Sequence, residues 1–305
     1  MNKYKILIAV LTTGSRHKTF NQCLNSLLNL SKPLNSTYEI LVVENTLDAN
    51  EHVQLLIEQA RQTNEYVHHI QVKQLGIPFA RNGAVEFGIE NEFSHLAFID
   101  DDAIADSTWI RVLTEDLNLY DIVTGPQIPL FSDETKDVYK LVNIYKERNI
   151  KNNSILKWAA TNNILLSLDF LKKNNLSFNA SLIYGGEDKA LTYKAYSLGA
   201  RIQWKEFAIV REYVSLNRMN LKWIYNRSFR IGATGFLIES SKTTHFNSLI
   251  ICLFKSCCYL VRGFLTFIPY MFFRNKTVLN SVADIAHGLG FLKGLLVRDP
   301  VGKYY

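Results

Sequence analysis

Along the first 125 residues, short apolar runs alternate with segments of helical periodicity. The runs are KYKILIAVL (3–11), YEILVVE (38–44), VHHIQV (67–72), HLAFID (95–100) and YDIVTG (120–125), each of strand length. Between them Phe20, Cys23, Leu24, Leu27 and Leu28 share one helical face, and a second helix is predicted over 49–62. Pro78 opens a third over FARNGAVEFGIE, a proline at the first helical turn, and TWIRVLTEDL reads as a fourth. This alternation predicts an α/β fold: a mostly parallel sheet, right-handed crossovers and helices on both faces. In such sheets ligands bind beyond the carboxyl ends of the strands. Thr12-Thr13, Glu44-Asn45-Thr46, Gly76 and Asp100–Asp102 stand at those ends.

After Gly125 the pattern changes. TKDVYKLVNIYKERNIKNN is polar and poorly periodic, and LKWAATNNILLSLDFL reads as a strand with an interrupted entry. LIYGGEDKALTYKAYSLG is a Gly-Gly turn, two acids and a helix that stops at Gly199. RIQWKEFAIVREYVS holds one or two strands, and LNRMNLKWIYNRSFRIGATGFLIE a helix rich in arginine and aromatics. There is no internal repeat and no low-complexity linker.

Charge divides the chain unevenly. Residues 1–213 carry 22 Lys and Arg against 25 Asp and Glu, a net −3, while residues 214–305 carry 12 against 3, a net +9. Residues 246–273 are the most apolar part, but their longest uncharged run, Gly263 to Phe273, has eleven residues and contains Pro269. That is short of the ~20 residues of a transmembrane helix. Ser248, Lys255 and Arg262 recur every seven residues and share one helical stripe. An apolar helix with a thin basic stripe suits an anionic membrane surface. The apolar residues among the charges speak against nucleic acid, whose grooves are tracked by denser basic and polar side chains. Four cysteines lack metal-ligand spacing, and Cys257 and Cys258 read as reduced packing residues. The apolar run Ile6–Leu11 is too short for a signal-peptide core, so a cytoplasmic protein is expected, peripheral at the inner face of the cell membrane.

The chemistry concentrates in FIDDDAIAD. Three carboxylates at the tip of a buried strand repel one another and lose solvation unless a cation joins them. A hard divalent ion, Mn²⁺ or Mg²⁺, takes oxygen ligands and shares them with substrate phosphates. Asp106 reads as the cap of the helix that begins at Ser107.

The ordered series ILIAVLTTGSR, YEILVVENT, GIPFARNGA, FIDDDAIAD and YGGEDKAL resembles glycosyltransferase family 2, over about residues 4–235. VREYVSLNRMNLKWIYNRSFRIGAT resembles the members that build bacterial surface polysaccharides, including succinoglycan-type glucosyltransferases. The resemblance implies a GT-A fold, an inverting transfer from a nucleotide-diphosphate sugar (a UDP-sugar first), and a glycan or lipid-linked acceptor. It implies a GT-A domain over 1–240, with a nucleotide-binding half (1–125) and an acceptor-side half (126–240), followed by an apolar basic tail over 241–305. By the same resemblance Thr12, Glu44, Asn45, Arg81, Asp100 and Asp101 bind the nucleotide, with Asp where Glu44 stands in most of the family. Asp102 and Asp100 hold the metal. Asp188 is the base that takes the acceptor's proton, with Glu187 beside it; both also favour the N-terminus of the following helix. Asn163, Arg227 and Arg230 face the diphosphate or the acceptor. Trp158 reads as a sugar platform or a core residue, His68 and His69 as structural. Where some GT-A enzymes add a late histidine to the metal shell, VREYV offers Arg211 and Glu212. Two other readings stand beside this one: a phosphohydrolase of the haloacid-dehalogenase type and a nucleotide-binding module without turnover.

Overall fold

The computed structural model of the protein describes residues 4–183, 185–273 and 278–296. The chain ends (1–3 and 297–305, the latter part of the expected tail), Tyr184 beside the GGED motif, and 274–277 lie outside the described residues. Four strands come first: β1 (Tyr4–Thr12), β2 (Ser36–Glu44), β3 (Val67–Gln71) and β4 (His95–Asp100). Helices α1 (His17–Leu28), α2 (Glu51–Thr63) and α3 (Ile77–Glu90) join them in turn. There follow β5 (Ala103–Ala105), α4 (Trp109–Leu113), β6 (Ile122–Thr124), β7 (Gln127–Leu130), α5 (Asp137–Lys140), β8 (Ile155–Leu156), β9 (Asn163–Ser167) and α6 (Leu168–Lys173). The last elements are α7 (Glu187–Ser197), β10 (Ile202–Trp204), β11 (Val210–Tyr213), α8 (Leu221–Ala233), α9 (Gly235–Ser240), α10 (His245–Phe273) and α11 (Val278–Leu296).

The main sheet has eight strands in the order β3-β2-β1-β4-β9-β6-β10-β8. Only β9 and β8 run against the other six, so the sheet is mostly parallel. Alternate residues of β1 explain why its apolar run is continuous. Ile6, Ile8 and Val10 pack with α1, α2 and α4 on one face. Leu7 and Ala9 pack with α3, α6 and α7 on the other. A strand covered by helices on both sides has no polar face to show. The first four strands and three helices match their sequence expectation closely. The fourth helix is shorter than TWIRVLTEDL: the Thr114 hydroxyl donates back to the Ile110 and Arg111 carbonyls, and Lys205 draws Glu115 and Asp116 into ion pairs at 3.1 and 2.6 Å.

The chain forms two compact units. One comprises Met1–Ile128, Glu147–Ile183 and Leu191–Tyr213, and holds the main sheet. The other comprises Pro129–Lys146, Tyr184–Ala190 and Val214–Tyr305. In this grouping α8 and α9 fall with the C-terminal helices. In that second unit Val142, Tyr145, Val214, Met219, Ile224 and Leu279 form a small core, with the Tyr145 ring stacked on Trp223 at 5.7 Å. Glycines set its helix packing. A Cβ on Gly232 would stand 2.1 Å from the His287 carbonyl, and one on Gly290 2.1 Å from the Phe229 carbonyl, so α8 and α11 approach backbone to backbone.

α10 is a single helix of 29 residues, and its stretch His245–Pro269 is long and apolar enough to cross a membrane by length and composition. Counting uncharged residues underrates it, because Lys255 and Arg262 are neutralised within the unit, by Glu239 and Asp284. Cys257 and Cys258 are free thiols on the exposed side of α10 and do not pack; Cys23 and Cys252 are the buried pair.

Candidate active site

The carboxyl ends of β1 and β4 are neighbours, with Leu11 opposite Asp100 in parallel register. The residues just beyond meet there. Thr12 is buried; its hydroxyl donates to Asp101 Oδ2 at 2.9 Å and accepts the Gly14 N–H at 3.0 Å. The turn this makes requires φ = +72° at Gly14, a left-handed conformation that favours glycine, and it delivers Arg16 over the acids. Arg16 Nη1 donates to Asp101 Oδ1 at 2.9 Å and to Asp102 Oδ2 at 2.7 Å. Both carboxylates are buried, while Arg16 is itself 44% exposed.

Asp100 is treated differently. Burial pushes its pKa up to about 7, against the pull of Arg81 and with further push from Asp102, Glu212 and Asp101. Burial also raises Asp101, opposed by Arg16 and by the Thr12 hydrogen bond. Beneath the cluster the buried Cys23 thiol, 3.5 Å from the Asp100 carbonyl, is pushed well up by burial and by the three acids. Arg81 is buried in the first turns of α3, its guanidinium 5.7 Å from the Phe178 ring. Glu212 reaches this neighbourhood because β11 pairs with β5, Glu212 opposite Ala103. Gln127 donates to Glu212 and Asn162 donates to Gln127.

At the end of β2, Glu44 is fully buried. Its Oε1 accepts from the Asn50 N–H at 2.5 Å and the Thr46 hydroxyl at 2.9 Å, and its Oε2 lies 3.0 Å from His69 Nε2. Asn45 is equally engaged: its amide donates to the Val72 and Gln74 carbonyls, both at 2.8 Å, and its Oδ1 accepts the Gly76 N–H at 2.9 Å. These two residues hold the loops after β2 and β3 in place.

In the second unit, Gly185 (φ +118°) and Gly186 (φ +91°) make the turn into α7. A Cβ on Gly186 would also press on Ile238 Cδ1 at 2.8 Å. Glu187 is buried and Asp188 half-buried in the first turn of α7, where Asp188 Oδ1 accepts the Lys189 N–H at 2.6 Å. On α8, Arg227 is exposed and Arg230 half-buried. Neither forms an ion pair among the described residues, and Arg230 is pushed below the usual arginine range by burial, then by Arg227 and Arg218.

The chain matches no family model, and no curated protein matches it in sequence. Its fold does find counterparts. Residues 1–349 of S. aureus TarS align with a TM-score of 0.55 at 17% identity, over 80% of this chain and 68% of that one. The same fragment in complex with UDP-GlcNAc aligns at 0.54 and 15% identity, over 80% and 69%. GalNAc-T7 with UDP, GalNAc and Mn²⁺ aligns at 0.55 and 14% identity, over 73% of this chain and 47% of that one. The chain has a GT-A fold.

Within this GT-A fold, Thr12, Arg81, Asp100, Asp101 and Asp102 come together as a cluster. Asn163 does not present itself to any ligand. It is 1% exposed, its amide donates to the Pro126 and Ala208 carbonyls at 2.8 and 2.7 Å, and its Oδ1 accepts the Trp109 indole N–H at 2.8 Å. Every polar atom of that side chain serves the interior of the sheet, where β9 lies between β4 and β6. Asp106 does not cap the helix: α4 begins at Trp109 behind Thr108 without a side-chain cap, the Asp106 carbonyl accepts the Trp109 N–H at 2.8 Å in the preceding turn, and its carboxylate pairs with Arg211. Trp158 is half-buried with the Arg148 guanidinium 4.5 Å over its ring. The residue that sequence reasoning passed over is Arg16. Its signal was a lone cation directly after the Gly-Ser turn of the strand beside the acids.

The donor set fits a divalent cation. Four carboxylates (Asp100, Asp101, Asp102, Glu212) interact there with two guanidiniums (Arg16, Arg81), and Asp100 is raised by burial first and by its acidic neighbours second. Among the described residues no three His, Cys, Asp or Glu side chains cage an ion by themselves. An ion held there would need water and substrate oxygens to complete its shell.

Proposed function

We propose that this protein is a glycosyltransferase that moves a sugar from a nucleotide diphosphate, a UDP-sugar first, to a glycan or lipid-linked acceptor, with inversion. Its setting is bacterial surface polysaccharide synthesis at the inner face of the cell membrane. The observation that carries the reading is the acid cluster at the end of β4, tied to the end of β1 by Thr12 and Arg16, within a GT-A fold whose counterparts include structures with UDP-GlcNAc and UDP. A phosphohydrolase of the haloacid-dehalogenase type carries its nucleophile after its first strand; here the acids follow the fourth.

The roles follow from the chemistry each group offers. Asp100 and Asp102 hold Mn²⁺ or Mg²⁺, which when bound neutralises the diphosphate leaving group. Asp101 and Thr12 orient the nucleotide side, and Arg81 adds a fixed positive charge against the diphosphate. Glu44 and Asn45 act as positioning residues, since their polar atoms are held by the chain itself. Asp188 takes the proton from the acceptor hydroxyl as its oxygen bonds to the anomeric carbon. The bond from that carbon to the diphosphate oxygen breaks, and its electron pair leaves with the nucleotide. Glu187, buried beside Asp188, helps fix the first turn of α7. Arg227 and Arg230, cations without an acidic partner among the described residues, receive an anionic group of the diphosphate or acceptor.

A thermal-shift and donor-hydrolysis screen over UDP-, GDP- and dTDP-sugars, with and without Mn²⁺, tests this. Stabilisation and slow hydrolysis by one nucleotide class support it. Persistent hydrolysis of simple phosphate esters with no response to any nucleotide sugar counts against it.

A further inference from the structure

The sequence places Ser248, Lys255 and Arg262 on one stripe of α10, but which way that stripe faces is a matter of structure. Ser248 is fully buried. Lys255 Nζ donates to Glu239 Oε1 on α9 at 2.6 Å. One residue on, the Ser256 hydroxyl donates to the Gly288 carbonyl at 2.8 Å. Arg262 grips Asp284 of α11 with two nitrogens, Nε at 2.6 Å, and the Thr266 hydroxyl lies 2.8 Å from that of Ser281. The polar side of α10 therefore faces its own unit along most of its length.

The opposite side is apolar and bare. Phe246, Phe254, Val261, Phe264, Leu265 and Ile268 repeat at helical spacing, each more than half exposed, with Phe254 at 69%. At 1.5 Å per residue the ridge from Phe246 to Ile268 is about 33 Å long, larger than the isolated apolar residues of an ordinary surface. Two occupants compete for it: a second copy of the chain, or lipid. Charge decides between them. Residues 214–305 carry 12 Lys and Arg against 3 acids, and two of those acids, Glu239 and Asp284, are engaged with α10 itself. Lys222, Arg227 and Lys293 stay exposed with no acidic partner among the described residues. Such a surface repels its own copy and attracts an anionic bilayer.

We infer that α10 lies in the plane of an anionic membrane, its exposed ridge among the acyl chains and its polar stripe turned to the protein. α10 is fastened along one flank to α9 and α11, which leaves one apolar side for the bilayer, the pattern of a helix lying in the interface. The inference rests on the membrane-side setting proposed above and on none of the assigned catalytic roles.

The native thiols report on it. Cys257 and Cys258 are exposed beside the ridge, whereas Cys23 and Cys252 are buried. Reaction of the full chain with a charged, water-soluble thiol reagent is followed with vesicles of phosphatidylglycerol and phosphatidylcholine, with phosphatidylcholine alone, and without lipid. Anionic vesicles are expected to slow the two exposed thiols by about tenfold or more, and Phe254→Ser with Phe264→Ser to restore their reactivity and abolish co-sedimentation while circular dichroism is unchanged. Full reactivity on anionic vesicles overturns the inference. So does shielding that grows with protein concentration in the absence of lipid, which assigns the ridge to a second copy. UDP-sugar binding measured on the same samples separates either outcome from failure of the glycosyltransferase reading.

Discussion

Arg16→Ala removes the cation that the chain itself supplies to the acid cluster. The loss is two charge-assisted hydrogen bonds, at 2.9 and 2.7 Å, to the buried carboxylates of Asp101 and Asp102. Breaking a fully buried pair costs roughly 3–5 kcal/mol, because the partner charge is left behind. Arg16 is 44% exposed, and water replaces part of what it gives, so about 2 kcal/mol is the better figure. For a body of this size that lowers the melting temperature by about 4–8 °C. The informative comparison is the melt with and without Mn²⁺. If the acids form a cation site, Mn²⁺ replaces some of the missing charge and stabilises the variant more than the natural protein. A variant that melts with the natural protein, or one whose deficit Mn²⁺ leaves untouched, refutes the electrostatic reasoning.

Other outcomes follow from the same contacts. Asp188→Asn should keep donor binding and lower sugar transfer by about 10²-fold or more, the usual range for a lost general base; unchanged transfer removes Asp188 from the mechanism. Asn163→Ala should destabilise by roughly 3–5 kcal/mol, since it orphans the Trp109 indole N–H and two buried carbonyls, while the KM for donor stays put; a shifted KM at full stability would return Asn163 to the site. His95 is buried at the start of β4, and burial lowers its pKa from 6.5 to about 4. Between those values the unfolded chain takes up the proton and the folded chain does not. Stability is therefore complete above pH 6.5 and falls towards pH 4, by up to about 3 kcal/mol. Urea midpoints at pH 7 and pH 4.5 measure the slope, and a His95→Leu variant that keeps the full slope would clear His95 of it.

Much of this was legible from the chain. β1 to β4 announce themselves because strands covered on both faces carry unbroken apolar runs, and Pro78 marks the start of α3 within a residue. The acid cluster follows from topology, since strand ends gather at one edge of a parallel sheet. What stayed hidden depends on direction. Periodicity groups Ser248, Lys255 and Arg262 on one stripe but is silent on whether that stripe meets water, lipid or another helix; Glu239 and Asp284, nine residues before and 22 residues beyond the ends of the stripe, decide it. Asn163 reads as a polar entry to a strand, yet it is buried and its amide is engaged by Trp109, Pro126 and Ala208. The cation beside Asp101 and Asp102 was sought outside the chain, when Arg16, 85 residues away from Asp101 in sequence, supplies one from within. Glu44, assigned to the nucleotide by resemblance, also makes three internal contacts that its place at a strand end did not announce.

The most direct test of the central claim is titration calorimetry of UDP-linked hexoses, then GDP- and dTDP-linked ones, into the full chain with Mn²⁺ and with a chelator. Saturable uptake of one nucleotide class is expected, weakened about tenfold or more by chelation and likewise by Asp102→Asn, in line with a dication shared between protein and diphosphate oxygens. If no nucleotide sugar binds in a manganese-dependent way, the acid cluster is not a donor site.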